Sequence, residues 1–163
     1  MSRITPSSRK QYFPRPSLLV STAYTSVILL PIHVLTHRLN PSLDTSTISA
    51  LSPAELDYDF VKFGLHTWPT RSFLFYGILV ASVLLHSAEG QALLWRTYLA
   101  PQKPPRVTQR KTSKVKWRRI IATTGSIVVL SGVYAIWREP LEVLPSMIER
   151  YFASFTTSLF YRI

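Results

Sequence analysis

Any chemistry in this chain starts at His86. The run Leu84-Leu85-His86-Ser87-Ala88-Glu89-Gly90 sets a histidine and a glycine four positions apart, which places them on one face of a helix. That pairing suits a flat macrocycle, because the imidazole can ligate iron while the glycine leaves room for the ring. His86 and Gly90 are therefore the candidate haem-binding residues, with His86 as axial ligand. The structural alternative is a histidine bonded to a carbonyl or hydroxyl between helices. On balance no cofactor is expected; haem b is the alternative, and no metal is expected beyond the haem iron at His86.

His33 and His37 are also one turn apart. Two such histidines can start a zinc site, but zinc needs further ligands, and the chain has no cysteine and no acid close by. His37 and Arg38 are expected at headgroup depth, meeting phosphate. Depth separates these histidines from His86. Taking the first two apolar stretches as antiparallel helices, His33 lies about 7 Å inside the surface marked by Arg38, and His86 about 22 Å inside the same surface at Arg71. One haem cannot join them, so a bis-histidine haem would need a second chain or a second copy. Glu89, three residues past His86, is expected to pair with His86 or Arg96, or to reach the interface. There is no Ser/His/Asp pattern, no phosphate-cradling glycine loop and no pair of intramembrane carboxylates. The chain is read as non-enzymatic.

The elements that hold these residues follow from charge and hydropathy. Residues 16–37, 72–88 and 120–137 carry no formal charge. At 1.5 Å per residue, stretches of this length match the roughly 30 Å hydrocarbon core of a bilayer. The expected spans are 18–39, 72–95 and 117–137, in an all-α integral membrane bundle of three transmembrane helices and two surface helices. A basic tail, residues 1–17, precedes the 18–137 domain, and an interfacial amphipathic helix occupies 138–163.

Between the second and third spans lie nine cations and no acid: Arg96, Lys103, Arg106, Arg110, Lys111, Lys114, Lys116, Arg118 and Arg119. With the four cations of the N-terminal tail, 13 cations fall on one side. The other two connections, from Arg38 to Arg71 and from Arg138 onward, carry three cations each against four and three acids. The alternation obeys the positive-inside rule and puts the N-terminus with the basic loop 96–116. Arg110, Lys111, Lys114, Lys116, Arg118 and Arg119, with His37 and Arg38, are the expected contacts to anionic headgroups. The net charge of +11 does not point to nucleic acid, since the cations sit in loops without interleaved stacking aromatics.

Smaller signals refine the picture. Pro16 suits a helix start, Pro31 should kink the first span, and Asn40-Pro41 should end it. Ser52-Pro53-Ala54-Glu55 reads as a capping box, followed by an apolar stripe Leu56, Phe60, Phe63 that Gly64 and Trp68-Pro69 end. Gly77/Ala81, Ala122/Ser126 and Ser131/Ala135 are close-packing pairs, for contacts within the monomer or a dimer face. The last helix, about Met147 to Tyr161, sets Ile148, Tyr151, Phe152, Phe155 and Leu159 on one face and Glu149, Arg150, Ser154, Thr157 and Ser158 largely on the other. It is expected in the interface plane. Pro101–Lys116 is expected to be a connector.

Two stretches carry a resemblance. They are Leu30-Pro31-Ile32-His33-Val34-Leu35-Thr36-His37-Arg38-Leu39-Asn40-Pro41, and Leu56-Asp57-Tyr58-Asp59-Phe60-Val61-Lys62-Phe63-Gly64-Leu65 with Trp68-Pro69 and His86-x-x-x-Gly90. Together they resemble a fungal mitochondrial outer-membrane family involved in lipid homeostasis, over roughly residues 18–137. Its longer members carry two copies of such a unit, whereas this chain has one. The unit is distantly similar to the cytochrome b-type anchors of succinate dehydrogenase, where a His-x-x-x-Gly element contributes a haem ligand. By resemblance that element maps to His86 and Gly90, and Ala92 stands where those anchors carry an arginine. The resemblance also implies an adaptor role towards a lipid-transfer protein through Pro-x-Pro elements, which Pro14 and Pro16 fit.

The expected function is that of a non-enzymatic, multi-pass protein of the mitochondrial outer membrane, supporting lipid homeostasis or lipid-transfer contact sites. The alternative is a haem b-binding anchor subunit of a respiratory or redox complex, in the inner membrane. Expected partners are anionic lipids, a lipid-transfer protein, and a second copy or another membrane subunit.

Overall fold

The computed structural model describes residues 17–99 and 111–162. Among these the chain is helical, with no strand. Helix α1 (Leu18–Val34) starts at Ser17, whose side chain accepts from the amide of Val20, one of the orphan donors every helix start must satisfy. It continues past Pro31 into a π turn, Leu35–Leu39, closed by Asn40 N–H on the Leu35 carbonyl at 2.8 Å. Helix α2 (Tyr58–Thr67) is capped by Asp57. Helix α3 (Pro69–Leu94) runs into a second π turn, Trp95–Leu99. Helix α4 spans Lys111–Arg138 and α5 spans Pro145–Thr157.

Three helical stretches are long and apolar enough to cross a membrane: Leu18–Leu39, Pro69–Leu99 and Val115–Arg138. They agree with the expected spans. Helix α3 is the middle member, with α1 and α4 packed on it. The outer faces stay apolar and uncovered: Val27 and Ile28 on α1, and Ile121, Ile127 and Val128 on α4, are all more than 60 % exposed. Such faces suit lipid better than water.

The two short helices form a cap at one end. Phe60 and Phe63 of α2 meet Tyr151 and Phe155 of α5, with Ile48, Leu51 and Tyr161 completing a buried cluster. This corrects several expectations. Gly64 does not end α2. It lies inside the helix, where a Cβ would sit 2.7 Å from Phe155 Cζ. Helix α5 packs on α2 through only part of its expected apolar face. Tyr151 and Phe155 are buried against α2, while Ile148, Phe152 and Leu159 of the same expected face are exposed. Ser154 and Ser158, assigned to the polar face, are buried. The stripe therefore splits between a protein contact and an outward apolar edge.

The capping box at Ser52 and Glu55 forms as read, with Ser52 N–H donating to Glu55 Oε2 at 2.7 Å. Glu55 also takes Arg150 Nη1–H at 2.6 Å. Arg150 further donates to the carbonyls of Ile48 and Ser49, next to the two positive-φ residues Ser49 and Ala50. A left-handed turn in non-glycine residues is strained and persists where surrounding contacts fix it; Arg150 provides that fixing.

Of the small-residue pairs, Ala122 and Ser126 are buried, and beside them Gly125 faces Leu84 of α3. A Cβ at Gly77 would meet nothing within 4 Å, and Ser131 and Ala135 are exposed. Those two pairs make no close helix contact within the described residues. The first turns of α4 also occupy part of what was expected to be a connector up to Lys116.

Candidate functional site

The polar residues of the long helices gather at the two ends of the α1–α3 seam. Near the start of α1, His86 Nδ1–H donates to the Leu19 carbonyl at 3.2 Å and lies 3.5 Å from Thr22 Oγ1. Further along, Ser26 Oγ–H donates to Ser82 Oγ at 3.3 Å. At the far end the His33 ring stacks 6.3 Å from Phe75, and His37 Nε2 is 3.0 Å from the Tyr76 hydroxyl. The partners thus descend α3 as they ascend α1, which is an antiparallel pair. His33 and His86 fall near opposite ends, as the depth arithmetic required.

His86 is therefore used as an interhelical bond, the structural alternative drawn from the sequence. Its Nδ1 contact to a carbonyl fixes the tautomer and leaves Nε2 as an acceptor. Gly90 is a different matter. Its face is turned to α1, and a Cβ there would lie 3.9 Å from Leu19 Cδ1. A flat ring laid over this face within one chain would have to displace the Leu19 side chain.

Glu89 pairs with neither His86 nor Arg96. It accepts from Arg118 Nη2 at 3.2 Å and Arg119 Nε at 3.1 Å. These two cations, expected to face headgroups, are tied to a carboxylate that sits at the edge of the apolar stretch. Pairing is what such a group requires, since an isolated charge at that depth is costly. Lys116 and Arg38 are exposed and free to meet headgroups. Lys111 and Lys114 fall in the first turn of α4. Arg110, Pro14 and Pro16 lie outside the described residues.

His37 is not at a headgroup. Its ring sits edge-on to Phe60 and Phe155, at 5.7 and 5.8 Å, and 4.6 Å from the His33 ring. Thr36 Oγ–H donates to Ser158 Oγ at 2.9 Å, and Ser72 Oγ–H to the Gly64 carbonyl at 2.8 Å. This end is an aromatic and hydroxyl cage that locks the cap onto α1 and α3. Among the described residues, no three His, Cys, Asp or Glu side chains are arranged to hold a metal ion.

Two partners were missed in the sequence although depth could have found them. Tyr76 is five residues from Arg71, as His33 is from Arg38, so the two share a level. Glu89 precedes the end of α3 at Leu94 by five residues, and Arg118 and Arg119 follow the start of α4 at Lys111 by seven and eight, which brings them to similar levels. Comparison with protein-family models, curated proteins and solved structures finds no match to this chain.

Outside the long helices, Glu55 and Lys62 are held by charged partners. The Ser52 amide and the Arg150 guanidinium keep the Glu55 carboxyl down at about 2. Hydrogen bonds to Glu139 and Asp59 raise Lys62, whose ammonium lies 2.9 Å and 3.2 Å from them. Burial pushes the Tyr151 phenol up to about 12.

Proposed function

We propose that this chain is a three-span, non-enzymatic membrane protein acting in lipid homeostasis at the mitochondrial outer membrane. The observation that carries the membrane reading is the alternation of three long apolar helices with cation-rich and cation-poor connections. Thirteen cations share one side with the N-terminus, and that side faces the cytosol under the positive-inside rule. The uncovered apolar faces of α1 and α4 support it, since nothing but lipid would satisfy them in a lone chain.

The mitochondrial and lipid parts of the reading rest on the resemblance of the Leu30–Pro41 stretch and of the Leu56–Leu65 stretch with Trp68-Pro69 and His86-x-x-x-Gly90. The polar groups are consistent with a structural use of the spans: histidines and serines stitch α1 to α3, and Glu89 is neutralised by arginines. A catalytic or redox role would need groups left open to a substrate.

Fractionation of cells expressing the tagged chain tests the membrane. Recovery in the alkaline-carbonate pellet of mitochondria, with the N-terminal tag open to protease in intact organelles, is the expected result. Recovery in the carbonate supernatant overturns the membrane reading. Unchanged phospholipid composition in cells lacking the chain overturns the lipid role.

A further inference from the structure

One of the two arginines that hold Glu89, Arg118, also lines a groove. It lies between α3 and α4 at the cation-rich end, has a volume of about 320 Å³, and is lined by Ala88, Gln91, Ala92, Trp95, Arg118 and Ile121. Its axis follows the helices. Trp95 and Arg118 form the mouth. Ala92 and Ile121 lie about 4.5 Å deeper and Ala88 about 10 Å deeper, at 1.5 Å per residue. The cationic end is thus at Arg118, while Ala88, Ala92 and Ile121 give the deeper part an apolar lining beside the exposed Gln91.

Arg118 is incompletely used. Its Nη2 bonds Glu89, but its Nε is buried and has no hydrogen-bond partner among the described residues. That atom is closed to outside groups, but the Arg118 side chain as a whole is 23 % exposed and lines the groove, so an oxygen from outside the chain can reach its open N–H groups. The charge balance points the same way. One carboxylate faces two guanidinium groups, a surplus of one positive charge beside the exposed Lys116.

We infer that this groove binds one anionic glycerophospholipid, with a phosphate oxygen on Arg118 and an acyl chain laid over Ala92, Ala88 and Ile121. The site rests on the membrane reading above and adds to it a defined lipid class at a defined place. An apolar floor running inward from a cationic mouth matches a lipid entering sideways from its own leaflet, and not a soluble phosphate. Trp95 stands at the depth where indoles favour the headgroup region. Basic pockets between spans are a recurring means of holding such headgroups.

The test uses the full chain in bilayer nanodiscs of equal phosphatidylglycerol and phosphatidylcholine, released into mild detergent, with retained lipid counted by native mass spectrometry. One phosphatidylglycerol per chain is expected, retained about tenfold over phosphatidylcholine, whose phosphate is the same but whose choline cation would face the surplus positive charge of the arginines. Arg118→Gln and Ala92→Phe should each lower that retention about tenfold, the second by filling the groove while leaving the Glu89 pairs intact. Arg162→Gln, which removes an exposed cation that does not line the groove, should retain lipid as the parent does. Equal retention of the two lipids, or full retention by Ala92→Phe, overturns the site. Displacement by millimolar glycerol 3-phosphate overturns the lipid in favour of a soluble phosphate ester. A chain that never enters the discs overturns the membrane reading itself, a result distinct from a chain that enters without selecting lipid.

Discussion

Phe155 of α5 closes directly over Gly64 of α2, so tightly that a single added methyl would lie 2.7 Å from its ring. Gly64→Ala should therefore destabilise the cap by about 1–3 kcal/mol through overpacking. Phe155→Ala should remove more, about 3–5 kcal/mol, by leaving a cavity. Gly64→Ala combined with Phe155→Leu should recover part of the first loss. Limited proteolysis at the α4–α5 connection reads the order of these effects, and a Gly64→Ala protein as resistant as the parent would refute the close contact.

Glu55 gives the cap an acid limit. Its folded pKa lies near 2, against an ordinary 4.5. A depressed carboxyl stabilises the fold above its unfolded pKa, and that contribution disappears as pH falls through the folded value. The α5 amides should therefore lose hydrogen-exchange protection between about pH 4.5 and pH 2. Glu55→Gln should show that loosening already at neutral pH, because Arg150 loses its charged partner. Identical exchange profiles for the two proteins would contradict the assignment.

His86 should behave as a helix-pairing residue. Supplied with haem, the purified chain is expected to show no Soret band, because α1 covers Gly90. His86→Ala should weaken the α1–α3 pairing by about 0.6–2 kcal/mol, the usual range for such bonds between spans, read as a lower midpoint of unfolding in mixed micelles. A Soret band in the parent that is absent from His86→Ala would restore the haem reading.

The absence of cysteine makes sidedness directly measurable. Single cysteines at Ser2 and Ser113 should react with an impermeant maleimide from the cytosolic side of intact organelles. Cysteines at Ser42 and Glu142 should react only after the membrane is opened. Any other pairing of the four positions contradicts the three-crossing arrangement.

The three long apolar helices were legible because their signal is collective: each contains seventeen or more consecutive uncharged residues. The capping box at Ser52 was legible because its two partners are three residues apart. What the sequence hid was long-range. Glu89 was assigned to neighbours on its own helix or loop, whereas its partners lie on α4, and only relative depth between helices identifies them. His37 was placed at the headgroups because Arg38 follows it, yet the wide π turn brings it under Phe60 and Phe155. Ser154 and Ser158 read as a wet face because hydroxyls are polar. Here Ser158 instead satisfies Thr36 in the interior, which hydropathy cannot distinguish.

The cap joins residues from both short connections on one side, α2 from before the second span and α5 from after the third. In the proposed three-span arrangement those two helices share a side because α3 and α4, which lie between them in the chain, both cross. If α4 stayed on the side of its basic end, Phe155 would be stranded across the bilayer from Gly64, and Arg150 from Glu55. The aromatic cluster is then a record of completed insertion. A half-inserted chain would display unburied Phe60 and Phe63 on one side and Tyr151 and Phe155 on the other, surfaces by which quality-control factors could tell it from a finished one.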